Sequence, residues 1–137
     1  MTEKIRNLIK KYEVKGDFTH AEVSDAVIAA AEQTLNVKLP QQYIAFLKEF
    51  GHGGIGGIDT LGVGLTGRMI FLETTLEYRR YGLPQSFVVI ENCDEWLYCI
   101  DCSSYKVVSW EDGYAEDEYG SFDDYLAERI NEAAENI

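Results

Sequence analysis

Three groups of residues in this chain have types and spacings that could support chemistry: a C-x-x-C pair, two glycine-rich loops with a histidine beside them, and a dense set of carboxylates. The pair is Cys99-Ile100-Asp101-Cys102. Zinc takes four ligands, and the other thiol and imidazole groups, Cys93, His20 and His52, are scattered rather than paired. In extended chain, residues three apart face opposite sides, so Cys99 and Cys102 are expected to diverge. A redox pair would sit in a thioredoxin-like β-α-β pattern, which is absent around it. The stretches Gly51-His52-Gly53-Gly54-Ile55-Gly56 and Gly62-Val63-Gly64-Leu65-Thr66-Gly67 both fit G-x-G-x-x-G. The first follows a helical pattern. The second lacks the parallel β-α-β frame that would set a pyrophosphate on a helix N-terminus. Both read as bends and close backbone packing. His52-Gly53-Gly54 resembles an esterase oxyanion loop, yet the chain has no G-x-S-x-G elbow to supply a nucleophile. His52 is expected to donate to the last carbonyls of the preceding helix.

The carboxylates do not follow the D-x-[DN]-x-[DN]-G order of a calcium loop. Their abundance makes any one pair non-specific for glycosidase chemistry. They read instead as a surface. Glu91, Asp94, Glu95, Asp101, Glu111, Asp112, Glu116, Asp117 and Glu118 are expected on strand ends and loops of one sheet region, with Trp96, Trp110, Tyr114 and Tyr119 interleaved. Aromatic anchors rimmed by charge suit a protein–protein site, because rings supply buried area and carboxylates supply steering. At least one of Trp96 and Trp110 is expected in the core, so Tyr114 and Tyr119 are the better anchors. The expectation is a partner-binding surface made of those nine acids with Trp96, Tyr114 and Tyr119. No catalytic residue, metal ligand or cofactor is expected.

The elements that must position these residues follow from periodicity. Ile5, Leu8, Ile9 and Tyr12 form an apolar stripe, which predicts a helix over 3–13. Phe18 to Val23 reads as an extended link. Ser24 is placed to cap a helix carrying Val27, Ile28, Ala31 and Leu35 on one face, and Asn36 to end it. Pro40 opens a second helix with Tyr43, Phe46, Leu47 and Phe50 inside. In the glycine-dense stretch that follows, Ile58, Leu61, Val63 and Leu65 read as one or two strands. Phe71 to Tyr81 reads as a helix with Leu72 and Leu76 at its buried steps. Three strands come next, Phe87–Glu91, Trp96–Asp101 and Lys106–Trp110. The first is an apolar run and so expected at the sheet centre, and the short connections require antiparallel neighbours. Residues 111–120 read as an acidic loop. Ser121 caps a last helix that buries Phe122, Tyr125, Leu126, Ile130 and Ala133. Helices, then a meander, then a closing helix describe an α+β domain spanning 1–137.

Charge separates partners more than folds. The chain carries a formal net charge of −12, and residues 91–137 hold fourteen acids against Lys106 and Arg129 alone. That argues against direct nucleic-acid binding, which wants a basic stripe. It suits a basic partner, or it serves solubility. No run is long and apolar enough for a membrane helix, and Met1 to Arg6 lacks the apolar region of a secretory signal. A cytoplasmic protein with reduced thiols is expected.

The pattern Ile28-x-x-x-Glu32, Leu39-Pro40-x-x-Tyr43, Phe46-Leu47, Gly53-Gly54 resembles the opening signature of the SUKH superfamily. Leu83-Pro84, Phe87 to Ile90, Leu97 to Asp101, Val107-Val108, Trp110 and Ser121-Phe122-x-x-Tyr125-Leu126 follow in that family's order. The resemblance spans nearly the whole chain. It implies a twisted, mainly antiparallel sheet with N-terminal helices and a C-terminal helix packed against it. Members include a yeast cell-wall-assembly regulator and many bacterial immunity proteins. The function it implies is therefore an immunity protein. Such a protein neutralises the C-terminal domain of a co-encoded toxin, here a basic nuclease domain, by occluding its active site. The alternative it implies is a non-catalytic regulatory or scaffold module. A monomer and a weak homodimer both remain open.

Overall fold

The structure, a computed structural model, describes residues 1–136. Four helices precede the sheet and one follows it: α1 Glu3–Tyr12, α2 Asp25–Leu35, α3 Gln41–Phe50, α4 Ile70–Arg79, and α5 Phe122–Ala134. The strands are β1 Phe87–Asn92, β2 Leu97–Asp101, β3 Val107–Glu111 and β4 Tyr114–Tyr119. They form one antiparallel sheet in the order β1-β2-β3-β4, so the architecture is α+β.

Local chemistry sets the helix ends. Ser24 Oγ accepts the Val27 N–H at 3.2 Å, and Asn36 ends α2 in the left-handed conformation at φ 55°. Ser121 Oγ accepts the Asp124 N–H at 3.1 Å and starts α5. Pro40 sits at the cap of α3 rather than in its first turn. The buried stripe of α2 is Ile28, Ala31 and Leu35, while Val27, one step around the helix from Ile28, is exposed. In α4 the buried residues are Phe71 and Thr75, and Leu76 faces solvent.

The strands expected between residues 58 and 65 do not form. Gly53 bridges singly to Phe18 and to Thr60, and Val63 to Met69. The chain doubles back instead. A Cβ on Gly54 would lie 1.6 Å from the Ile58 carbonyl oxygen, and one on Gly62 1.8 Å from that of Gly51. Leu65, read as part of a strand, is exposed.

The sheet is covered on two faces. On one, Val88, Ile90, Ile100 and Val107 join the main core with Ile9, Phe46 and Tyr125. On the other, Val89, Leu97, Cys99, Val108 and Trp110 form a smaller cluster with Leu83 and Tyr78. β1, expected at the centre, is an end strand. Its apolar composition is explained by what closes its outer edge. The Val89 N–H donates to Thr75 Oγ1 of α4 at 2.9 Å, and the Leu61 N–H donates to the Ile90 carbonyl at 2.7 Å.

The acidic loop expected over 111–120 is a hairpin. Asp112 (φ 46°) and Gly113 (φ 87°) make a two-residue turn of the I′ kind, and β4 follows.

Candidate protein-binding site

Two bulges decide which acids reach the surface. Between β1 and β2, Val89 pairs with Cys99 and Glu91 with Tyr98, leaving Ile90 as an extra residue. The extra residue turns both Ile90 and Glu91 toward the main core. Glu91 is therefore buried, which removes it from the expected surface. Its Oε1 accepts the Tyr125 O–H at 2.7 Å and Arg129 Nε at 2.9 Å, and its Oε2 accepts Arg129 Nη2 at 2.5 Å. Between β3 and β4, Val107 pairs with Tyr119 and Val108 with Asp117, so Glu118 is the extra residue. Glu118 and Tyr119 thereby share one face, where Glu118 Oε1 accepts from Ser109 Oγ at 2.9 Å.

Beyond the edge of α5, that face of β2, β3 and β4 is open. Trp96, Tyr98 and Ser109 floor a shallow groove of about 340 Å³, and Glu111, Tyr114, Glu116 and Glu118 wall it. The Trp96 and Tyr98 rings meet edge to face at 6.2 Å. Arg129 braces Tyr98 from the α5 side, its guanidinium carbon 5.3 Å from the ring centre. Glu111 and Glu116 have no hydrogen-bonding or cationic partner among the described residues. A second concavity of about 480 Å³ shares Glu118 and continues the acidic surface along α5 through Asp124, Glu128 and Glu132, with Lys4 at its rim.

Of the expected partner-binding residues, the structure brings together Trp96, Glu111, Tyr114, Glu116 and Glu118. Asp94, Glu95 and Asp112 stand in the two exposed turns at the same end of the sheet. Asp101 lies at the far end of β2, accepting from the Ser103 N–H at 3.0 Å and Oγ at 2.7 Å. Asp117 faces the other side of the sheet and pairs with Lys106 at 3.2 Å. Tyr119 is half-buried, its ring 5.9 Å from Tyr98 and 5.8 Å from Tyr125, and burial pushes its phenol above the ordinary range. Trp110 is core.

Tyr98, Ser109, Asp124, Glu128 and Glu132 were not among the expected residues. Their signals were nonetheless present. Tyr98 stands two residues from Trp96 in a strand pattern, hence on its face. Asp124, Glu128 and Glu132 recur at steps of four, which aligns them along one side of a helix.

The histidine, glutamate and cysteines of the motifs each make a local structural contact. His52 does not donate to helix carbonyls. Its Nδ1 accepts the Gly62 N–H at 3.0 Å, and burial lowers its pKa. Glu32 accepts the Leu39 N–H at 2.8 Å across the α2–α3 turn. Cys99 is buried in the smaller cluster while Cys102 packs against the main core, and burial raises the Cys102 thiol to about 12. Among the described residues, no three His, Cys, Asp or Glu side chains gather where they could hold a metal ion. No helix among them is long and apolar enough to cross a membrane.

The same arrangement of helices and sheet occurs in a solved structure of a protein from Pseudomonas syringae pv. tomato. It superimposes with a TM-score of 0.72 at 19% sequence identity, covering 93% of this chain and 96% of that chain. At that identity the likeness carries the fold. The family comes from the sequence itself. A model of the SMI1-KNR4 cell-wall family (SUKH_5) matches residues 5–131, so nearly every element described above, from α1 into α5, lies inside the match, and the chain belongs to that family.

Proposed function

We propose that this protein is an immunity protein that binds the basic toxin domain of a co-encoded toxin, a nuclease domain, and blocks its active site without performing chemistry. The observation that carries this reading is the groove on β2–β4. Aromatic floor residues Trp96 and Tyr98 lie beneath carboxylates Glu111 and Glu116, which have no cationic partner among the described residues. A nuclease cleft presents Lys and Arg to phosphates. Carboxylates on a firm strand scaffold take the place of those phosphates, and the rings supply the apolar area that holds the complex. The excess of acids in the last third of the chain adds a long-range field that speeds encounter.

The experiment is titration of the purified protein into the nuclease assay of the toxin domain encoded beside its gene, at low and high salt. Stoichiometric inhibition that weakens with salt supports the reading. Reversing Glu111 and Glu116 to Lys should slow association by about tenfold or more at low salt. Glu77→Lys, which changes charge on the exposed side of α4, should have little effect. Full toxin activity at excess folded protein removes the immunity reading and favours a regulatory or scaffold module of the cell-wall type.

A further inference from the structure

The sheet treats its two edges differently. The outer edge of β1 is closed by the Thr75 hydroxyl and the Leu61 amide. β4 is the other edge, and nothing among the described residues covers it. Its free groups can be identified. A two-residue turn makes Glu111 and Tyr114 a hydrogen-bonded pair, so bonded and non-bonded pairs alternate along the hairpin. Glu116 then bonds Ser109. The N–H and C=O groups of Ala115 and Asp117 point away from β3, toward solvent. They form a short template for another strand, ended by the bulge at Glu118.

The side chains of β4 define what can pair there. On the groove face stand Tyr114 and Glu116, the latter without a cationic partner among the described residues. On the other face Ala115 presents a methyl, and Asp117 is already neutralised by Lys106 at 3.2 Å. A second copy of this chain would set Glu116 and its neighbours against like charges, which disfavours the pairing. The complementary strand is basic at alternate positions on the groove side and small or neutral between them.

We propose that β4 receives an extended basic segment of the partner as a fifth strand, so that main-chain bonds to Ala115 and Asp117 align its Lys or Arg side chains over the groove. This rests on the immunity reading for the identity of the partner and adds how that partner docks. Backbone pairing supplies register, and alternate side chains supply selectivity.

The test uses a capped hexapeptide alternating Lys and Thr, a Glu–Thr peptide as control, and amide exchange followed by NMR on the intact protein. At a Lys–Thr concentration about ten times its Kd, exchange at the Ala115 and Asp117 amides should slow about tenfold. The Tyr114 and Glu116 amides, already bonded to β3, should change little, and the Glu–Thr peptide should leave all four unaltered. Ala115→Pro removes one outward donor and leaves the β3 ladder intact, as proline does on an edge strand. It should abolish the protection while the thermal midpoint stays near that of the parent. Failure of the Lys–Thr peptide to protect these amides overturns the edge proposal, even if the toxin is inhibited. Concentration-dependent protection without peptide assigns the edge to a second copy and also overturns it. Protection by the peptide with no inhibition of the toxin overturns the immunity reading and leaves the edge standing.

Discussion

Arg129→Met should cost this protein a large part of its stability. Glu91 is 4% exposed, and the two partners contact through both carboxylate oxygens. Removing the guanidinium leaves the Glu91 carboxylate inside the core with only the Tyr125 O–H and the Cys93 thiol, at 2.7 and 3.3 Å, to hold it. Breaking a buried pair from one side costs about 3–5 kcal/mol. Against a typical domain stability of about 5–15 kcal/mol, the loss is visible in any denaturation curve. Methionine keeps apolar stem beside Tyr98, so lost packing contributes little. Glu91→Gln should cost less, about 1–3 kcal/mol. The amide still accepts from Tyr125, and Arg129 retains Glu132 at 2.6 Å and a side chain 14% open to water. The double variant should be more stable than Arg129→Met alone, because the uncompensated charge is gone. Urea unfolding at neutral pH, followed by tryptophan fluorescence, measures all four proteins of the cycle. The reasoning is refuted if Arg129→Met unfolds within about 0.5 kcal/mol of the parent. A double variant carrying the simple sum of the two losses would refute it equally.

Two further predictions concern the segments that support the sheet. Gly54→Ala should yield insoluble or unfolded protein, since its Cβ would meet the Ile58 carbonyl oxygen at 1.6 Å. Gly57→Ala meets nothing within 4 Å and pays only for φ 82°, about 1–2 kcal/mol, so comparable solubility of the two would contradict the doubled-back loop. His20 places Nε2 2.6 Å from Glu13 Oε2 and Nδ1 3.0 Å from the Glu49 carbonyl, an arrangement in which both nitrogens donate only when the ring is protonated. The bond to Glu13 raises its pKa against the opposing effect of burial. Its stabilisation is therefore full below the ordinary histidine value of about 6.5 and is lost as pH rises through the raised folded value. His20→Asn should flatten that decline between acidic and alkaline buffers. The difference between the two proteins isolates His20 from His52, whose lowered pKa acts in the opposite direction.

The helices were legible because their signals are local. Ser24, Asn36 and Ser121 act within four residues of themselves, and the Tyr43, Phe46, Leu47, Phe50 face needs only a period of 3.6. β4 was hidden because its composition contradicts its conformation. Glu and Asp are depleted in strands, and a strand exposed at nearly every residue has no apolar alternation to read. Asp112-Gly113 was the available sign, since that dipeptide favours a tight hairpin turn. Glu91 was misplaced for a different reason. In a run of acids it looks like surface, and only the bulge at Ile90, a property of strand pairing, turns it onto Arg129. The same holds for β1: an apolar strand reads as central whether its far edge meets another strand or, as here, a threonine and a loop amide.

These placements change what the net charge means. The fourteen acids of residues 91–137 are not equivalent. Glu91 is spent on Arg129, Asp117 on Lys106, and Asp101 on the turn that follows it. Asp123 is buried, with desolvation raising its pKa. On the proposed reading, the acids that meet the partner directly are those of the groove and its continuation along α5, with Asp94, Glu95 and Asp112 exposed in the turns at the same end of the sheet. At an ionic strength near 0.15 M, charges more than about 8 Å from the contact are largely screened. Remote acids then contribute to encounter only at low salt, whereas Glu111 and Glu116, once covered, are shielded from counterions and act at both. Reversal of the groove pair should thus raise the dissociation rate even at high salt, while any effect of Glu77→Lys should vanish there. An acidic surface kept for solubility alone would give both changes the same salt dependence, since neither site would be covered in a complex.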